Sequence, residues 1–221
     1  MRRTATGLAA VLALFLLRPA HAPSELIDRI LAAVNNDVIT LTDLQQATAF
    51  NKALGGRGNG GQTEAGTLEG LVNRKLLLQE AARVKFDEVP DQDVDAALAA
   101  LRRRLGSDEA YRRLLAGMQT SEDELRRMLR EQLLVERFLE KKIGIFARAT
   151  HDEVQKYYTG HPQEFAGRPF PAVQKELTVF LSQQKAGQQL DQLIAELRSR
   201  ANIRINRLQE EERKNGISRQ E

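Results

Sequence analysis

A mainly α-helical fold with one small β-sheet is what this sequence predicts. Three observations carry that reading. Apolar residues recur at helical spacing along most of the chain between Leu68 and Leu197. Near the start, two β-prone runs in Leu26 to Ile39 flank Asn35-Asn36-Asp37, whose residue types tolerate positive φ and signal a hairpin. Near the end, Ile203-Arg204-Ile205 alternates like a short strand. A lone hairpin is marginal in water. The C-terminal strand is therefore expected as the third member of a small sheet that ties the two ends of the chain together.

Ahead of the hairpin, residues 1–22 read as a signal peptide. Arg2 and Arg3 precede an apolar run from Gly7 to Leu17, and Ala20-His21-Ala22 supplies an A-x-A ending. The run is shorter than the ~20 residues a bilayer span needs. Pro23, with a fixed φ and no N–H, suits a protease subsite poorly, so cleavage after Ala22 is expected to be slow or displaced. The expected location is the periplasm. The whole chain holds 33 Lys and Arg against 30 Asp and Glu. The leader takes Arg2, Arg3 and Arg18 and no acid, leaving 30 against 30. Without a net basic field, non-specific nucleic-acid binding is not expected. The chain has no cysteine, so packing alone must hold the exported body together, and no residue is available for a lipid anchor. No second long apolar run predicts a membrane span.

After the hairpin, Thr42 with Gln45 three residues on predicts a capped helix through about Lys52. Gly55 to Gly61 is glycine-rich, but it lacks the preceding strand and following helix of a phosphate loop, so it reads as a linker. A helix is predicted over Leu68 to Phe86. Another starts at Pro90-Asp91 and runs to about Leu105, and a short one follows the Gly106-Ser107 break, to about Ala116. Thr120-Ser121 caps a long helix to Ile143, whose apolar positions wrap more than half its circumference; it is the expected central strut. Its remaining face carries Arg126, Arg130, Arg137 and Lys141, expected to be a solvated face rather than a stripe for acidic partners or lipid headgroups.

Thr150 and Glu153 form a second capping box. It opens a helix that ends near Tyr157-Tyr158, before a turn region marked by Pro162 and Pro169. From Pro171 the last long helix shows an apolar stripe, loses it over Gln183 to Gln189, and resumes it at Leu190. Such a helix is expected to leave one packed body and join another. Residues 207–221 are charged and poor in apolar residues, hence an expected disordered tail.

Catalytic chemistry is not evident. Past the leader the histidines are His151 and His161, and neither belongs to an H-x-x-x-H pair, so zinc has no evident ligand set. No G-x-S-x-G elbow occurs. Neither an enzyme nor a cofactor is expected.

Three stretches resemble the SurA family of periplasmic chaperones and the related PrsA-type foldases. The first is Ile30 to Leu44. The second is Leu71 to Ala81, followed by Val89 to Leu98 and Glu124 to Phe138. The third is Thr150 to Tyr158, with His161-Pro162 and Glu164-Phe165. In that family the third stretch leads into a parvulin prolyl isomerase. Here Phe165 reaches Pro171 through Ala166-Gly167-Arg168-Pro169-Phe170, too short for any isomerase. The resemblance implies a chaperone core, residues 23–206, with its isomerase excised. Its two parts would be 26–165 and a C-terminal helix and strand over 170–206. It also implies an ATP-independent holdase whose partners are unfolded exported or outer-membrane proteins. The alternatives are a structural protein of the cell envelope and a residual prolyl isomerase. A homodimer formed by exchange of the terminal strands is a further expectation. For such a holdase, the candidate peptide-binding residues are Leu114, Met118, Leu125, Met128, Phe138 and Phe180: apolar walls and flexible methionines suit varied clients.

Overall fold

The computed structural model describes residues 28–53, 63–86, 88–144 and 146–206. Residues 1–22, expected to be a signal peptide, the glycine-rich stretch 55–61 and residues 207–221, expected to be a disordered tail, lie outside the described residues. The described elements run in the order β1 (Ile30–Val34), β2 (Asp37–Thr40), α1 (Leu41–Ala53), α2 (Glu64–Arg83), α3 (Asp91–Leu105), α4 (Asp108–Met118), α5 (Glu122–Ile143), α6 (His151–Gly160), a 3-10 turn (Pro162–Phe165), α7 (Phe170–Arg200) and β3 (Ile203–Ile205). The mainly helical class with a small sheet is what the sequence predicts.

The sheet has the order β2-β1-β3, antiparallel throughout, and it closes within one chain. Asn35 is its pivot. It sits in the left-handed region at φ 55°, which asparagine tolerates better than most side chains. Its N–H donates to the Asn202 carbonyl and its Oδ1 accepts from the Asn202 N–H, both at 2.8 Å. Its Nδ2 donates to Gln79 on α2 at 2.7 Å. One turn residue thus fixes the hairpin, the C-terminal strand and the first long helix against each other.

Capping explains where the helices start. Ser121 and Glu124 form a reciprocal capping box on α5, and Thr150 and Glu153 form another on α6. The cap of α1 differs from the expected one. Thr40 and Asp43 exchange the bonds, two residues before the Thr42–Gln45 pair, because the chain turns helical directly out of β2. Thr63 caps α2 by accepting from the Gly66 N–H, so α2 begins a turn earlier than its apolar stripe.

Three apolar clusters form. The first seats Ala32, Val34 and Ile39 of the sheet on Val72, Leu76, Leu77 and Ala81 of α2, closed by Phe138, Leu193 and Leu197. The second gathers Val94, Leu98 and Leu101 of α3, Tyr111, Leu114 and Met118 of α4, and Leu125 and Leu129 of α5. Helix α5 contributes to both, so it is the strut its wide apolar arc predicts. The third is separate: Val154 of α6, Phe165 of the 3-10 turn, and Val173, Leu177 and Leu181 of α7. Helix α7 therefore serves the third cluster with its first half and the first cluster with its second half. Between Leu181 and Leu193 it crosses ~18 Å at 1.5 Å per residue without a fully buried side chain.

The basic face of α5 is not simply solvated. Arg126, Arg130 and Arg137 pair with Asp95, Asp91 and Asp93 of α3, and the Lys141 ammonium lies 5.4 Å from the centre of the Phe86 ring. Periodicity along one helix cannot reveal partners that arrive from another. On α2, the carboxylate of Glu80 is almost fully buried and takes both oxygens to Arg83 at 2.7 Å. That bond holds its pKa below the usual glutamate range, with Arg83, Arg200 and Lys142 adding attraction against the cost of burial.

A lowered folded-state pKa stabilises the fold above the ordinary glutamate pKa, and this contribution is lost as pH falls through the lowered value. Glu80→Gln should therefore cost about 1 kcal/mol near neutral pH, a modest figure because Arg83 is exposed to water. Urea unfolding at stepped pH should show the gap between variant and wild type closing below the ordinary glutamate pKa.

Candidate functional site

The α6–α7 arm concentrates exposed aromatic surface. Six of the eleven phenylalanines and tyrosines of the chain lie between residues 146 and 180. Tyr157 is their hub. Its ring stacks on His161 at 4.1 Å between centroids and 18° between planes, one helical turn on. It also meets Phe165 at 6.4 Å and Phe180 at 5.8 Å. Tyr158 packs on Phe165 and Phe170 at 4.9 and 5.4 Å. His161 caps the C-terminus of α6, and its N–H donates to the Tyr157 carbonyl at 3.1 Å, which brings the two rings together. Pro162 then forces the 3-10 turn that returns Phe165 beneath them. Ala166 and Gly167 both adopt positive φ, and the connection to α7 is complete by Pro169.

Two clefts meet at Tyr157. The larger, of about 580 Å³, is walled by Tyr157, Gly160, His161 and Leu181, with Lys156, Lys185 and Glu153 at its rim. The smaller, of about 240 Å³, is walled by Phe165, Val173, Leu177 and Phe180, with Glu164, Arg168 and Glu176 at its rim. The size of the larger cleft is in the range of ligand sites, and its lining is mostly apolar. Several rim charges are already engaged. Lys185 donates to both oxygens of Glu153 and to the Arg148 carbonyl. That bond and the Thr150 N–H, the larger influence, hold Glu153 below the usual glutamate range. Arg168 pairs with Glu176 at 3.5 Å. The Tyr157 hydroxyl donates to Glu164 at 3.0 Å, which raises the phenol pKa.

The sequence-derived candidates fall into two groups. Leu114, Met118 and Leu125 are packed in the second cluster, Leu125 with no exposure at all. Phe138 is buried in the first, edge-on to Phe86 at 5.6 Å. Met128 is partly buried against the second cluster. Phe180 is 47% exposed and joins the Tyr157 aromatic group. The structure thus brings only Phe180 of the six to the clefts. Sequence reasoning missed Tyr157, His161 and Leu181 as wall residues. The available signal was the crowding of rings into one stretch. Val179, 50% exposed, adds apolar surface on the same arm, and Phe146, 67% exposed, adds it in the turn that follows α5.

Among the described residues no cluster of three or more His, Cys, Asp or Glu side chains could hold a metal ion. No helix among them is long and apolar enough to cross a membrane. What fold and site define is a helical body with an aromatic arm formed by α6, the 3-10 turn and the first half of α7.

The model of the SurA-like N-terminal domain family matches residues 5–139, more than half of the chain, and the chain belongs to that family. It is similar to Chaperone SurA of a Pseudomonas fluorescens strain, with 26% identity over 151 residues, covering 66% of this chain and 35% of that protein. It is similar to Chaperone SurA of Pseudomonas putida, with 26% identity over 143 residues, covering 62% and 33%. The chain thus spans about a third of the length of the curated relatives it matches. The family match ends within α5, before the α6–α7 arm.

Core and surface roles separate by substitution. Leu125→Ala should cost about 2–5 kcal/mol in denaturant unfolding, because it leaves a cavity. Phe180→Ala should cost less than about 1 kcal/mol, because half of its ring is already in water.

Proposed function

We propose that this protein is an exported, ATP-independent holdase that binds unfolded outer-membrane and other exported polypeptides in the periplasm. The observation that supports it best is the larger Tyr157 cleft: open, mostly apolar surface, outside the main core, on a chain of a chaperone family. Attraction of ~25 cal/mol per Å² of apolar surface buried is non-directional, so one cleft can accept many sequences. Openness to solvent keeps release fast and needs no nucleotide. The body functions as a chaperone core without an inserted isomerase, since the 3-10 turn connects to α7 within a few residues. Val179, Phe180 and Tyr157 form the client surface, while the buried members of the six candidates maintain the fold.

Diluting a denatured outer-membrane β-barrel protein into buffer with a small molar excess of this protein should suppress light scattering in the absence of nucleotide. The double variant Val179→Asp, Phe180→Asp should lose most of the effect while keeping its helical circular dichroism. Scattering unchanged by the wild-type protein would overturn the proposal.

A further inference from the structure

We infer that the larger cleft selects extended client segments in which an acidic side chain lies next to a bulky apolar one. This inference rests on the holdase reading and adds a substrate class to it. Charge complementarity at the Tyr157 ridge sets this preference. The Glu153 carboxylate is committed to Lys185 and to its own helix cap. The ammonium of the exposed Lys156 has no partner among the described residues, and the residue lines the larger cleft. An ammonium of this kind keeps its charge in water while its methylenes cover apolar surface. A client aromatic ring seated against Tyr157 and Leu181 places the neighbouring side chain at the rim, where Lys156 offers the uncompensated charge.

The second cleft fixes the direction. Its rim carries Glu164 and Glu176 against Arg168 alone, so a carboxylate is repelled there. An acid beside the aromatic residue is therefore accepted on the Lys156 side of Tyr157 and rejected on the other. Tyr157 lines both clefts, so a client chain seated in the larger one has room to run on toward the smaller. The carboxylate is accordingly that of an internal aspartate or glutamate, not of a chain end.

The test is fluorescence anisotropy with two labelled, C-terminally amidated decapeptides that differ only in Asp or Asn beside a single Phe. At low ionic strength the wild type should bind the Asp peptide about 3- to 5-fold more tightly, the scale of an exposed ion pair. The preference should vanish in about 0.5 M salt. In Lys156→Gln the ratio of the two affinities should fall to one, and in Lys156→Glu it should invert. Equal affinities in the wild type, or a preference that survives Lys156→Gln, would overturn the inference while leaving the holdase reading in place. Failure of the wild type to bind either peptide, with no suppression of aggregation, would overturn both.

Discussion

One helix serves two cores, and the rest of the architecture depends on that constraint. The second half of α7 packs Leu193 and Leu197 beneath the sheet, and its first half carries Val173, Leu177 and Leu181 of the arm. The intervening turns, from Ser182 to Gln192, have no fully buried residue. The arm is therefore held by backbone continuity and by a few polar ties near Ser182 and Lys185, where the α5–α6 linker passes. That separation allows aromatic surface to remain open: removing the arm's rings from water further would need a neighbour that the arm does not have within its own cluster. A body with one undivided core would have no such surplus.

The main body is fastened in the opposite manner. Asn35 links β1, β3 and α2 through three hydrogen bonds. Arg74 of α2 donates to the Met128 carbonyl of α5 at 2.7 Å. Three arginines of α5 meet three aspartates of α3. Each of these exposed pairs contributes little by itself, but together they orient α3 on α5 and neutralise the basic face of α5. The Lys156 ammonium on the arm escapes this neutralisation.

Much of the fold was legible in the sequence because it depends on local physics. Periodicity marked the helices, capping residues marked the starts of α5 and α6, and the polar run from Gln183 to Gln189 marked the division of α7. The alternation at Ile203 to Ile205 marked the third strand. What was not legible depended on contacts between distant segments. The true cap of α1 lay hidden because Thr40 belongs to a strand that turns straight into a helix. The basic face of α5 looked solvated because its partners come from α3. The site was the hardest part. Leu125 and Phe180 look alike in a hydrophobic pattern, and only packing separates a residue with no exposure from one that is nearly half exposed. Methionine flexibility pointed to Met118 and Met128, yet the former is buried in the second cluster and the latter is partly buried against it.

The central claim is that clients are held on the arm and not on the body. Site-specific photocrosslinking measures it directly. A benzophenone amino acid placed at position 156 or 180, and at the solvent-facing position 99 of α3 as a control, is illuminated with a denatured outer-membrane barrel protein. The account predicts adducts from 156 and 180 and background from 99. Adducts from position 99 with none from the arm would contradict it.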